Sequence, residues 1–206
     1  MNHTFPDSIA VEAKLILRRS LGISIFLGLF VGLLFGYELL RLLPGNIELI
    51  SILIFNVLLG KFASISVGII IVLTMVVSHR FLMMTHAEPP DPRLGVQIAA
   101  GVWASLLCYC VFALAALAGF LAGASAGVTT YGPALVEEVL RRYELFAHLA
   151  RALLRLVVQG VWLGWISQLE LIVMAGPEGR APIRVLGGAG LLAIEGLDSY
   201  LFYLLR

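Results

Sequence analysis

The segment "VLGGAGLLAIEGLDSYLFYLLR", Val185–Arg206, decides the fold class. It has the length of a membrane span, because a hydrocarbon core about 30 Å thick needs about 20 apolar residues in a helix. Yet Glu195 falls near its middle, and Asp198 follows at i+3 on the same helical face. An ionised carboxylate at mid-bilayer costs about 2.5–3.5 kcal/mol on insertion scales, so such groups face a bundle interior or a wet cavity. The segment therefore predicts an all-α integral membrane protein in which this helix is packed against others.

The remaining sequence agrees with that reading. Of 206 residues, 60% are hydrophobic and 13% charged, against about 25% charged in a soluble domain. Mean hydropathy is +0.99. The net charge of +1 offers no basic face for nucleic acid. Cys108 and Cys110 lie two positions apart, about 200° apart on a helix, which suits neither a disulfide nor a metal pair. The first apolar block outruns a signal-peptide core and no small-residue cleavage site follows it, so it reads as a retained span.

Five membrane segments are expected, at 20–43, 47–78, 95–126, 150–175 and 184–205. The block 47–78 is long for one upright span and is interrupted at Lys61, so it reads as one tilted helix or two shorter pieces. Pro-bearing connectors, "HRFLMMTHAEPPDPRLG" and "AGPEGRAPIR", separate the later blocks. Residues 7–19 read as an interfacial helix capped by Asp7 or Ser8. Ile9, Ala13, Ile16 and Leu17 lie on one face, and Lys14, Arg18 and Arg19 lie by the headgroups. The stretch "PALVEEVLRRYELFAHLARALLRLV" reads as a further surface helix before the fourth span. With the N-terminus inside, seven Lys and Arg residues fall on the cytoplasmic side and six, Arg155 among them, on the other, which favours a cytoplasmic N-terminus.

Two kinds of residue carry what functional signal there is. Small residues recur every fourth position: Ser24, Gly28, Gly32 and Gly36; then Ala115, Gly119, Gly123 and Gly127; then Gly160 and Gly164. Such rows let helices pack closely in lipid, or form a sliding or dimerising surface. The second kind is polar residues at membrane depth: Glu195, Asp198, Glu170, Gln159 and Lys61. Their plainest role is an interior ion pair between Lys61 and a carboxylate; the others are a polar lining for a substrate cavity and a proton relay. Asp198 also suits a position near a thinned interface. "HRFLMMTH" places Met83, Met84 and His86 together, but a connector with Met and His is more often only a connector, so no metal site is expected. There is no phosphate-cradling loop, zinc spacing or nucleophile elbow. No catalytic constellation and no cofactor are expected.

The order of segments resembles the MlaE/YrbE-type permeases, membrane subunits of ABC transporters that move lipids with MCE-domain proteins. The likeness lies in "FLMMTHAEPPDPRLGVQIAAGVWASLLCY", "LAALAGFLAG", "VVQGVWLGWISQLEL" and "GLLAIEGLDSYLFYLL", the last with an Asp in the position of Asp198. "GISIFLGLFVGLLFGYELL" is similar to the family's glycine-rich first span. Where that family carries a cytoplasmic coupling helix between its second and third spans, this chain has a shortened connection, and "LLGKFAS" replaces the family's entry to that region. The resemblance implies a divergent permease-like subunit in a bacterial inner membrane, moving phospholipid or a related lipid. It further implies a second permease-like subunit, an ATP-binding-cassette ATPase and an MCE-domain protein as partners. Alternatives from other classes are a non-transporting accessory or assembly subunit and an ion-coupled carrier using Glu195, Asp198 and Lys61. The carrier lacks support from any inverted repeat.

Overall fold

The computed structural model describes residues 5–42, 47–84, 93–127, 145–174 and 180–204. These residues form helices α1 (Phe5–Leu42), α2 (Ile47–Ile52), a π-helix (Leu53–Phe62), α3 (Ala63–Met84), α4 (Leu94–Gly127), α5 (Leu145–Met174) and α6 (Arg180–Leu204), with no strand among them. Four stretches are long and apolar enough to cross a membrane: Pro6–Glu38, Leu53–Met75, Leu94–Ser125 and Ala150–Ile172. The fifth expected span, 184–205, falls on α6 as far as Leu204, with its last residue outside the described set. Large apolar side chains such as Phe26, Leu114 and Leu154 stand about 70% exposed; a soluble monomer rarely presents so many, whereas lipid accepts them.

One expected boundary disappears, and one open alternative is decided. The interfacial helix and first span are one continuous 38-residue helix. Asp7 and Ser8 therefore lie within its first turns rather than capping it. The block from Ile47 to Met84 is likewise helical throughout and changes pitch instead of breaking. The Ala63 N–H reaches the carbonyl of Leu58, five residues back, as well as that of Gly60. π-Helical turns are rare and short in most proteins, and Lys61 sits at the end of this one. The surface helix expected before the fourth span lies outside the described residues up to 144.

The chain divides into two compact units. The first contains α1 up to Ser20, α3 from Ile65, α4 up to Cys108, α5 from Leu154, and α6. The second contains α1 from Leu21, α2, the π-helix, α4 from Tyr109, and the start of α5.

In the second unit, α1 and α4 meet backbone to backbone. A Cβ built on Gly28 would lie 2.6 Å from the Phe112 carbonyl oxygen, and one on Gly32 would lie 2.9 Å from Ala116 Cα. Gly36 faces Phe120 in the same way, and from the other side Gly119 and Gly123 face Leu29, Leu33 and Tyr37. Beside this seam Tyr109 donates a 2.7 Å hydrogen bond to the carbonyl of Leu59, an acceptor in the π-helix. In the first unit α4 and α5 repeat the arrangement. A Cβ on Gly101 would lie 2.9 Å from Gly164 N, one on Gly160 2.8 Å from Val102 N, and one on Gly164 2.7 Å from Ile98 N.

Replacing Gly32 by alanine should force α1 and α4 apart and lower stability by about 1–3 kcal/mol, the usual cost of overpacking. A methyl group at Gly22 would meet nothing within 4 Å, so Gly22→Ala should change stability by no more than about 0.5 kcal/mol. Thermal unfolding of both variants in one detergent checks the pair.

Candidate functional site

Among the described residues, nearly all the buried polar side chains belong to the first unit. Ser8, Glu12, Ser20, Ser66, Thr74, Gln97, Ser105, Arg155, Gln159, Ser167, Glu170 and Glu195 are buried there, and only Ser24 and Ser64 among the buried polar residues lie in the second. Burying such groups is costly without partners, so their contacts show what the interior is built to hold.

The centre of the site is Arg155 on α5. Its Nη1 lies 3.5 Å from Glu195 Oε2 and 3.7 Å from Asp198 Oδ2 on α6. The Arg155 and Glu195 side chains are 7% and 9% exposed and Asp198 is 19% exposed, so Glu195 is the desolvated partner. Both distances exceed the roughly 2.7–2.9 Å of a tight charge-assisted bond. One guanidinium nitrogen thus lies within ion-pair distance of both carboxylates. The i, i+3 spacing of Glu195 and Asp198 makes this possible by placing both on one face of α6.

From Arg155 a polar ridge runs along α5 at four-residue steps through Gln159 to Ser167, broken by buried Leu163. The Gln159 side chain lies over Gly68 of α3, where an added Cβ would be 2.7 Å from its Nε2. Ser167 Oγ donates a 2.6 Å bond to Gln97 Oε1 on α4. Glu170 is buried one turn further on. Elsewhere in the unit, Ser20 and Thr74 hydroxyls meet at 2.8 Å between α1 and α3. Trp162 Nε1 donates to the Gly187 carbonyl at 3.2 Å, and its indole lies over Gly190, which joins α5 to α6.

Arg155 is five residues inside the candidate span Ala150–Ile172, and Glu170 is two residues from its other end. At 1.5 Å per residue the two charges are about 22 Å apart along α5. Gln159 and Ser167, neutral, lie between them. Glu195 and Asp198 meet α5 at the Arg155 end.

The structure brings Glu195 and Asp198 together with a cation, but not the expected one. Lys61 is exposed at the end of the π-helix, and the counter-charge is Arg155. The order of residues had placed Arg155 with the loop cations because it lies near the end of an apolar block. Gln97 and Glu12 were also missed; a lone amide near a helix start and a carboxylate in an amphipathic stretch carry no signal for burial. For Arg155 a signal existed, since it precedes Gln159 by four residues and shares its face. Glycines expected to pack, Gly28, Gly32, Gly36, Gly119, Gly123, Gly160 and Gly164, all lie against other helices of this chain. Among the described residues no group of three His, Cys, Asp or Glu side chains could hold a metal ion. No protein-family model, curated protein or solved structure matches this chain, so the reading of the site rests on its own chemistry.

Arg155→Leu should destabilise the protein by about 3–5 kcal/mol, because it removes the guanidinium from beside buried Glu195. The double variant Arg155→Leu/Glu195→Leu should recover a large part of that loss, and Asp198→Asn, at a more exposed and more distant contact, should cost less. Unfolding curves of the three proteins in detergent check the order.

Proposed function

We propose that this chain is a permease-like subunit of an MCE-type ABC lipid transport system, moving phospholipid or a related lipid, with ATP hydrolysed by another chain. The observation that carries the proposal is the graded polar interior of the first unit. Neutral hydrogen-bonding side chains, Gln159 and Ser167 with its partner Gln97, lie along α5 between the ionisable Arg155 and Glu170. Such a gradient suits passage of a polar headgroup while its acyl chains remain in the bilayer. Chain burial is nonspecific, at about 0.8 kcal/mol per CH₂ removed from water, so headgroup choice falls to these few polar groups. The second permease-like subunit, the ATPase and the MCE-domain protein implied by the resemblance are the partners proposed, in a bacterial inner membrane. Taking Arg155 out of the loop tally leaves one cation fewer on the outer side, which supports a cytoplasmic N-terminus.

A second reading has its own support. The polar groups make contacts within the chain, Arg155 with Glu195 and Asp198, and Ser167 with Gln97. That economy suits a non-transporting accessory or assembly subunit of a larger membrane complex.

Purification of the tagged protein from its host in gentle detergent, with mass spectrometry of retained proteins and lipids, separates the two. The transport reading expects an ATP-binding-cassette subunit, an MCE-domain protein and bound phospholipid. Recovery with an unrelated membrane complex and no ATPase would sink it and leave the accessory role.

A further inference from the structure

The site leaves Lys61 unused. This residue is exposed at the end of the π-helix, and among the described residues no hydrogen bond or ion pair engages it. Exposed apolar side chains, Val57 and Phe62, flank it on the same helix. We propose that Lys61 is a docking contact, pairing within the bilayer with a carboxylate on a transmembrane helix of a different chain. The proposal depends on neither reading of function above, since a charge at this depth needs a partner under both.

Depth separates Lys61 from an ordinary surface cation. It lies eight residues inside the candidate span Leu53–Met75, about 12 Å along a helix rising 1.5 Å per residue. α4 gives a similar placement. Tyr109, fifteen residues after Leu94 and sixteen before Ser125 in its own span, donates to the carbonyl of Leu59, two positions before Lys61. The four-carbon stem of a lysine covers only about half of that 12 Å, so the ammonium does not reach the headgroup phosphates from there. A cation held at such a depth is costly unless it is paired.

The π-helix is what turns Lys61 outward. Lys61 follows buried Ile54 at i+7, and in an α-helix that spacing returns to the same face, about 20° short of two full turns. Hydrogen bonds of the i→i+5 kind take more residues into each turn, so the lysine leaves the face that holds Ile54, Leu58 and Leu59. The Ala63 N–H reaches Leu58 and Gly60, and the Leu59 carbonyl, its acceptor in an α-helix, takes the Tyr109 hydroxyl. The outward lysine is thus built into the packing of the π-helix on α4.

Charge complementarity names the partner's chemistry, and the carboxylates of this chain place it on another polypeptide. Glu12, Glu170 and Glu195 are buried, and Asp198 lies beside Arg155. Asp7 and Glu38 are exposed but stand at the two ends of the span Pro6–Glu38. Among the described residues, then, no exposed carboxylate at the depth of Lys61 is available from a second copy.

The test begins with host membranes carrying the full-length tagged protein, treated with a lipid-soluble carbodiimide, which joins a lysine amine to a touching carboxylate and adds no spacer. The expected product is an amide between Lys61 and an Asp or Glu within an apolar segment of about 20 residues in another chain, absent from Lys61→Leu. In gentle detergent without cross-linker, Lys61→Leu should retain about tenfold less of that chain, since it strands the partner's carboxylate, and Lys61→Arg, which keeps the charge, should stay within about twofold of wild type. Thermal unfolding of Lys61→Leu in the same detergent should match wild type, which separates lost docking from lost fold. Absence of any Lys61 amide, an amide to a carboxylate of this chain, or coupling to a lipid headgroup alone would overturn the proposal. Equal retention by Lys61→Leu and wild type would do the same.

Discussion

The close approach of α1 and α4 through their small residues is the contact on which the packing of this protein turns. In lipid there is no hydrophobic gain from bringing two apolar helices together, so they associate by dispersion, weak polar contacts and fit. That requires backbones within reach of each other. α1 meets the requirement with a row at four-residue spacing, Ser8, Glu12, Ile16, Ser20, Ser24, Gly28, Gly32 and Gly36, every member of it buried. α4 carries a matching buried row of Val96, Ala100, Ala104, Cys108, Phe112, Ala116, Phe120 and Ala124. A four-residue row drifts about 40° per step on a helix of 3.6 residues per turn. It therefore runs obliquely to the axis, and its contacts must change along its length. On α1 the row is polar up to Ser24 except at Ile16 and glycine after it, so one helix carries hydrogen-bonding groups along one part and a close-packed seam along the other.

The division of chemistry between the two units follows from this. Where the backbones touch there is little room for a polar side chain, and the rows that meet in the second unit are glycine, alanine and phenylalanine, with Leu29, Leu33 and Tyr37 beside them. Where the rows carry serine, glutamate or glutamine, the helices are held by partners: Ser20 with Thr74, Gln97 with Ser167, Arg155 with Glu195 and Asp198. Removing either member of such a pair leaves the other in a poor solvent, which makes the polar half sensitive to single substitutions. The glycine seam is sensitive chiefly to size.

The placement of charge on α5 is the clearest link between packing and the transport reading. An ion pair deep in hydrocarbon adds little stability, because desolvation offsets attraction. Set near the end of a span, with one carboxylate partly exposed, the same pair costs less and leaves the middle of the helix to amides and hydroxyls.

Residue order alone determined the solvent of this protein. The length of its apolar blocks, the prolines between them and the every-fourth-position glycines specify helices that cross lipid and pack closely, because these depend on local periodicity and composition. It also marked Glu195, Asp198, Glu170, Gln159 and Lys61 as interior, since few places in a membrane accept them, and of these Lys61 is exposed. What it could not give was partnership. Arg155 lies forty residues from Glu195 in the chain, and Ser167 seventy from Gln97. No local pattern relates members of such pairs; only the crossing of α4, α5 and α6 brings them within bonding distance. The same holds for the continuity of α1, where a charged stretch and an apolar one read as two elements. A backbone hydrogen-bond ladder has no reason to stop between them, so tertiary structure made them one.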